Sequence, residues 1–132
     1  MAKTGTEIVH RTFLRLGIID PDENPEAKEV SHGLDALNGM LAQWVNEDCD
    51  LGLTLPLLRT DEVTDSQQVE AIVNNLAVRL ADDFSVQLRP ETVDRAYRSK
   101  MTLQAQLDDM SGASYDQGLL DASRRKYTQT FD

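Results

Sequence analysis

Residues 30–45, Val30-Ser-His-Gly-Leu34-Asp-Ala-Leu37-Asn-Gly-Met-Leu41-Ala-Gln-Trp44-Val45, hold the pattern that decides the fold. Val30, Leu34, Leu37, Leu41, Trp44 and Val45 step by four, three, four, three and one, a narrow apolar seam on an α-helix flanked by polar residues. Only about two heptads are present, so the seam is read as core packing against neighbouring helices rather than as a coiled coil. Upstream, Asn24 is the expected N-cap with Pro25 at the first helical position, where a missing N–H costs nothing, so this helix is placed from Pro25 to about Asn46.

The flanking segments are helical too. Thr4-Gly-Thr-Glu7 is a capping box opening a first helix, which carries Ile8, Val9, Thr12, Phe13 and Leu16 at helical spacing and stops at Gly17. Asp65 with Gln68 three residues on opens a third, with Val69, Ile72, Val73, Leu76, Ala77, Leu80, Ala81 and Phe84 on a broad stripe, the expected central helix. Pro90 starts a fourth, with Val93, Ala96, Tyr97, Met101, Leu107 and Met110 assigned to one face and Gly112 just past its end. The expected architecture is all-α: a small four-helix domain in residues 1–110 and a C-terminal arm in 111–132.

Two segments fall outside the helices. Between Cys49 and Asp61, Leu51, Leu53, Leu55 and Leu57 alternate until Pro56 interrupts any ladder, which reads as an extended arm or irregular edge strand. It is too apolar for a solvated loop, and it covers either the domain's own core or a neighbouring subunit. Beyond Ser111 the apolar residues are isolated, and three bases match three acids, so the whole charge of −10 sits in residues 1–110. Tyr115, Leu119, Leu120, Tyr127 and Phe131 are too sparse to form a core but are good interface anchors, and Arg124, Arg125 and Lys126 suit an acidic surface.

Composition narrows the function classes. A chain of 132 residues with 40% apolar content buries a core without metal or disulfide staples, and Cys49, the single cysteine, has no partner within the chain. No apolar run approaches the roughly 18 residues of a membrane span, and the N-terminus lacks a secretory core, so a reducing cytoplasm is the expected place of synthesis. With 23 acids against 13 bases, the charge has the wrong sign for non-specific binding to a phosphate backbone.

Signatures of catalysis are missing: there is no glycine-rich phosphate loop, no paired Cys-x-x-Cys and no Gly-x-Ser-x-Gly elbow. Glu7-Ile-Val-His10 and Glu29-Val-Ser-His32 have the Glu-x-x-His spacing of di-metal helix bundles, but at about 100° per residue Glu7, Glu29 and His32 lie off the apolar faces, and such ligands must point inward. The pairs Glu47-Asp48, Asp82-Asp83 and Asp108-Asp109 each close a helix, where acids oppose the dipole; facing basic partners or lining a passage that repels phosphate would explain them. Trp44 continues the seam as a core anchor, and Cys49 between Asp48 and Asp50 has its pKa raised, so it is inert. No catalytic residue, metal ligand or cofactor is expected.

The helix Thr4-Gly-Thr-Glu-Ile-Val ending in Arg15-Leu16-Gly17, an acidic Pro-containing loop, and Gly33-Leu-Asp-Ala-Leu-Asn-Gly-Met-Leu-Ala-Gln-Trp44 together resemble the head-to-tail adaptor family of tailed bacteriophages, also called tail accessory factors or connectors. The likeness continues through Asn75-Leu-Ala-Val-Arg79-Leu-Ala-Asp and from Tyr97 to Leu107, covering about residues 4–110, with Leu37-x-x-Met40-Leu41-x-x-Trp44 its most specific piece. The Cys49–Asp61 loop and the tail beyond Met110 lie outside it. The resemblance implies a non-enzymatic virion protein, monomeric before assembly, of which typically twelve copies form a ring under the portal protein. That ring extends the DNA channel without binding DNA specifically and offers a platform to the next tail protein. It further implies that the C-terminal arm (Tyr115, Leu119, Leu120, Arg124, Arg125, Lys126, Tyr127, Phe131) docks on the portal and that Leu51, Leu53, Leu55 and Leu57 meet neighbouring copies.

Two other classes compete. A small DNA-packaging or DNA-binding subunit needs a basic face, which only Arg95, Arg98 and Lys100 approach. A virion-associated cell-wall hydrolase needs two carboxylates across a cleft, one with a raised pKa.

Overall fold

The computed structural model describes residues 2–114, with side chains as far as residue 108. It is mostly helical: β1 (Lys3–Thr4), α1 (Gly5–Leu16), α2 (Ala27–Asn46), β2 (Glu62–Val63), α3 (Ser66–Ala81) and α4 (Pro90–Ser114). No helix among the described residues is long and apolar enough to cross a membrane.

Local chemistry sets the helix ends. At α1, the Thr4 hydroxyl accepts from the Glu7 N–H at 3.2 Å and the Glu7 carboxylate accepts from the Thr4 N–H at 2.9 Å, the reciprocal box read from the sequence. Its other end closes on Gly17 at φ +75°, a left-handed conformation, with the Gly17 and Ile18 N–H groups donating to Leu14 and Phe13 carbonyls. Helix α2 starts two residues later than expected, because the Glu29 carboxylate accepts from the Glu26 N–H at 2.9 Å and makes Glu26 the cap. Asp65 caps α3 by accepting from the Gln67 and Gln68 N–H groups at 2.8 and 3.3 Å.

Helix α3 lies at the centre, packed on α1, α2 and α4. Its stripe is buried as expected from Val69 to Ala81, and Ala71 and Asn74 are buried with it, but Phe84 lies past the helix end in the turn that reverses at Ser85 (φ +54°), half-buried and edge-on to Phe13. Helices α1 and α2 approach so closely at Gly33 that a Cβ there would sit 2.6 Å from Val9 Cγ1. The α2 seam needs two corrections: Leu34 is half-buried and Val45 is 42% exposed, while Met40 is buried against α3. Both displaced residues sit on the flank of α2 nearer the following loop.

Residues 47–61 form no strand. They cross the body as an irregular segment whose anchor is Asn38 on α2: its Nδ2 donates to the Leu57 carbonyl at 3.0 Å and its Oδ1 accepts from the Leu57 N–H at 2.6 Å. Strand pairing comes just after, where β2 meets β1 antiparallel with Lys3 opposite Val63 and Thr4 opposite Glu62.

Helix α4 differs from expectation in length and in face. It continues through Gly112 to Ser114, because a glycine inside a helix lowers propensity by about 1 kcal/mol yet keeps both backbone partners of the ladder. Ala96 and Leu103 are buried, with Lys100 and Leu107 half-buried, while Val93, Tyr97 and Met101 are exposed. The core face is thus 96, 100, 103 and 107, and Asn75 on α3 ties it down by donating to the carbonyls of Ala71 (2.8 Å) and Ala96 (3.0 Å). All the expected portal-docking residues, Tyr115, Leu119, Leu120, Arg124, Arg125, Lys126, Tyr127 and Phe131, lie outside the described residues.

Candidate functional site

The four residues of the two Glu-x-x-His spacings do not converge. Glu7 and Glu29 are engaged at their helix starts, His10 is half-buried on α1, and His32 Nε2 lies 2.9 Å from Asp83 Oδ2 with its ring edge-on to Phe84. Among the described residues no group of three or more His, Cys, Asp or Glu side chains is placed to hold a metal.

The acidic helix endings are partly used inside the chain. Glu47 accepts from Lys100 Nζ and from Gln43 Nε2, and these contacts, Lys100 first, hold its carboxyl below the usual range. Lys100 also lies 5.4 Å from the centre of the Trp44 ring, which is buried as expected. Asp83 is taken by His32, and Asp82 remains exposed. Asp108 and Asp109 lie within α4 rather than at its end, so no dipole argument applies to them. The Cys49 thiol is pushed up mainly by burial, with Glu47 and Asp50 adding to the shift and Lys100 opposing it; Asp48 plays no part.

On the far side of α3, Glu70 is 3.5 Å from Arg11 and 3.2 Å from Arg15, and Arg15 also donates to the buried Asn74. Of the basic residues considered for nucleic acid, Lys100 is committed to Glu47 and Arg98 lies 3.0 Å from Asp94 on its own helix. They do not form a continuous basic face.

Among the described residues the buried His10 Nε2 has no hydrogen-bond partner, and the rest of what the body leaves over is apolar. Of the loop leucines, Leu57 is buried in the chain's own core, whereas Leu51, Leu53 and Leu55 are half-buried and share a shallow recess with Val45, rimmed by Asp50. Leu58, which the sequence reading left out, is 56% exposed. On α4, Val93, Tyr97 and Met101 are 45%, 64% and 49% exposed and succeed one another by four residues, a stripe about 12 Å long that no other described residue covers. The signal for it is legible in the sequence: α4 carries two sets at helical spacing, and the one with small Ala96 and with Leu103 suits close contact with α3. No family model matches the chain, and no curated protein matches it.

Proposed function

We propose that this protein is a structural subunit of a tailed-phage head-to-tail junction. Copies of it form a ring under the portal, extend the DNA channel and present a surface to the next tail protein, while the arm beyond α4 docks on the portal. The observation that carries this reading is a body with a finished core that still exposes Val45, Leu58, Val93, Tyr97 and Met101. Apolar surface left over after the core is complete marks protein contact. The charge of −10 supports a conduit whose wall does not hold its cargo, and the resemblance over residues 4–110 points the same way. Imaging the full chain mixed with purified portal rings tests it. A ring of the protein seated on one end of the portal is expected, and a portal that stays bare overturns the reading.

A further inference from the structure

The two apolar patches sit on opposite flanks of α2. On one flank, Gln43 and Glu47 bond to Arg79 of α3 and Lys100 of α4, so this side faces the helix that carries Val93, Tyr97 and Met101. On the other, Asn38 clamps the leucine loop, and Val45, about 200° round the helix from Glu47, joins Leu51, Leu53 and Leu55. The rims differ in charge. Leaving out Lys100, which Glu47 engages, the first half of α4 with the residue before it holds Arg89, Arg95 and Arg98 against Glu91 and Asp94, a small positive surplus in a strongly acidic chain. Beside Val45 the rim is acidic: Asp50 lines the recess and Asp48 follows Val45 by three residues, with no base in residues 46–50, while Glu47 is turned to Lys100 on the other flank. Among the described residues Arg98 is held by an exposed pair within its own helix, worth a few tenths of a kcal/mol, which a better partner can displace.

We infer that the α4 stripe of one copy docks on the Val45–leucine-loop patch of the next. The occupant is a second copy because each patch matches the other in apolar character and is opposite to it in rim charge, and a single chain displays both. Because the patches lie on different flanks, the contact is head-to-tail: it leaves one of each open after every addition, the arrangement that closes into a ring when the rotation permits. This rests on the ring reading above and assigns its subunit contact. Tyr97, the most exposed of the stripe, is the expected centre, since tyrosines dominate interface energetics.

The test uses two single variants of the full chain, Val45→Cys and Val93→Cys, both at exposed positions, with the buried native Cys49 left in place and wild type as the blank. One variant is isotope-labelled, the two are mixed at the highest soluble concentration, and a short thiol-to-thiol cross-linker is added. Mass spectrometry then counts mixed and like pairs, and circular dichroism confirms that each variant folds. Mixed pairs well beyond the proportion of random collision are expected, falling several-fold with Arg98→Glu in the Val93→Cys chain and in high salt, where screening shortens to about 3 Å. Mixed pairs at only the random proportion, a preference for Val93–Val93 pairs, or cross-linking that appears only to added portal each overturns the assignment. The portal is absent from the main reaction, so a failed cross-link beside a seated ring in the imaging experiment condemns this contact alone. Selective mixed pairs with a bare portal condemn the portal reading alone.

Discussion

At the scale of single residues, burial ranks the side chains of the seam. Leu37 and Leu41 are almost fully enclosed, so Leu37→Ala or Leu41→Ala costs about 2–5 kcal/mol, read as a lowered unfolding midpoint. Met101→Ala, on the exposed stripe, stays within about 0.5 kcal/mol of wild type in the same measurement. Acid sensitivity belongs to this scale too. Lys100 and Gln43 lower the Glu47 pKa, and the Thr4 backbone and hydroxyl lower that of Glu7. A carboxylate whose folded pKa lies below its unfolded value stabilises the fold above the unfolded value, and this is lost as pH falls through the lower, folded one. Stability of the wild type therefore declines as the pH falls through and below the ordinary glutamate range, and Lys100→Gln makes that decline shallower. Equal slopes for the two proteins in a series of denaturant titrations would refute the role given to Lys100.

At the scale of elements, the junction of α1 with α2 is the tightest fit. A methyl at Gly33 meets the branched, buried Val9 side chain, which has no flexible end to move aside. Gly33→Ala is expected to destabilise by about 1–3 kcal/mol, with the added Val9→Ala change recovering part of the loss, a coupling that a double-mutant cycle measures. The Asn38 clamp decides the course of the leucine loop in a similar way. Asn38→Ala removes both partners of the Leu57 backbone, a loss of about 1–3 kcal/mol if those groups stay buried, and it opens residues 50–60 to limited proteolysis.

For the whole molecule, the expectations concern assembly. Without a partner the protein sediments as a monomer or weak oligomer, since a small apolar patch gains little from burial against the entropy of association. Tyr97→Glu leaves the unfolding midpoint of the monomer nearly unchanged while abolishing self-association, a separation that a core position does not permit. Truncation after Ser114 is expected to preserve helical content and unfolding temperature yet prevent co-sedimentation with portal rings. Full-affinity co-sedimentation of the truncated chain would transfer the docking role to the loop or the helical body.

The sequence by itself determined the number of helices, the caps of α1 and α3, the left-handed stop at Gly17 and the central place of α3. Each of these depends on residues a few positions apart, where hydrogen bonding and helical periodicity act locally. Only the tertiary structure decided which of two equally regular faces of α4 is buried, because spacing places residues on a face without saying where the neighbouring helix lies. Ala96 faces α3 because its small side chain lets the backbones come close enough for Asn75 to reach its carbonyl, and that choice turns Val93, Tyr97 and Met101 outward. The leucine loop repeats the lesson at longer range: alternation marked the segment as apolar, but the Asn38 clamp, 19 residues away in the chain, sends Leu57 inward and leaves Leu51, Leu53 and Leu55 half-buried along the edge of the core.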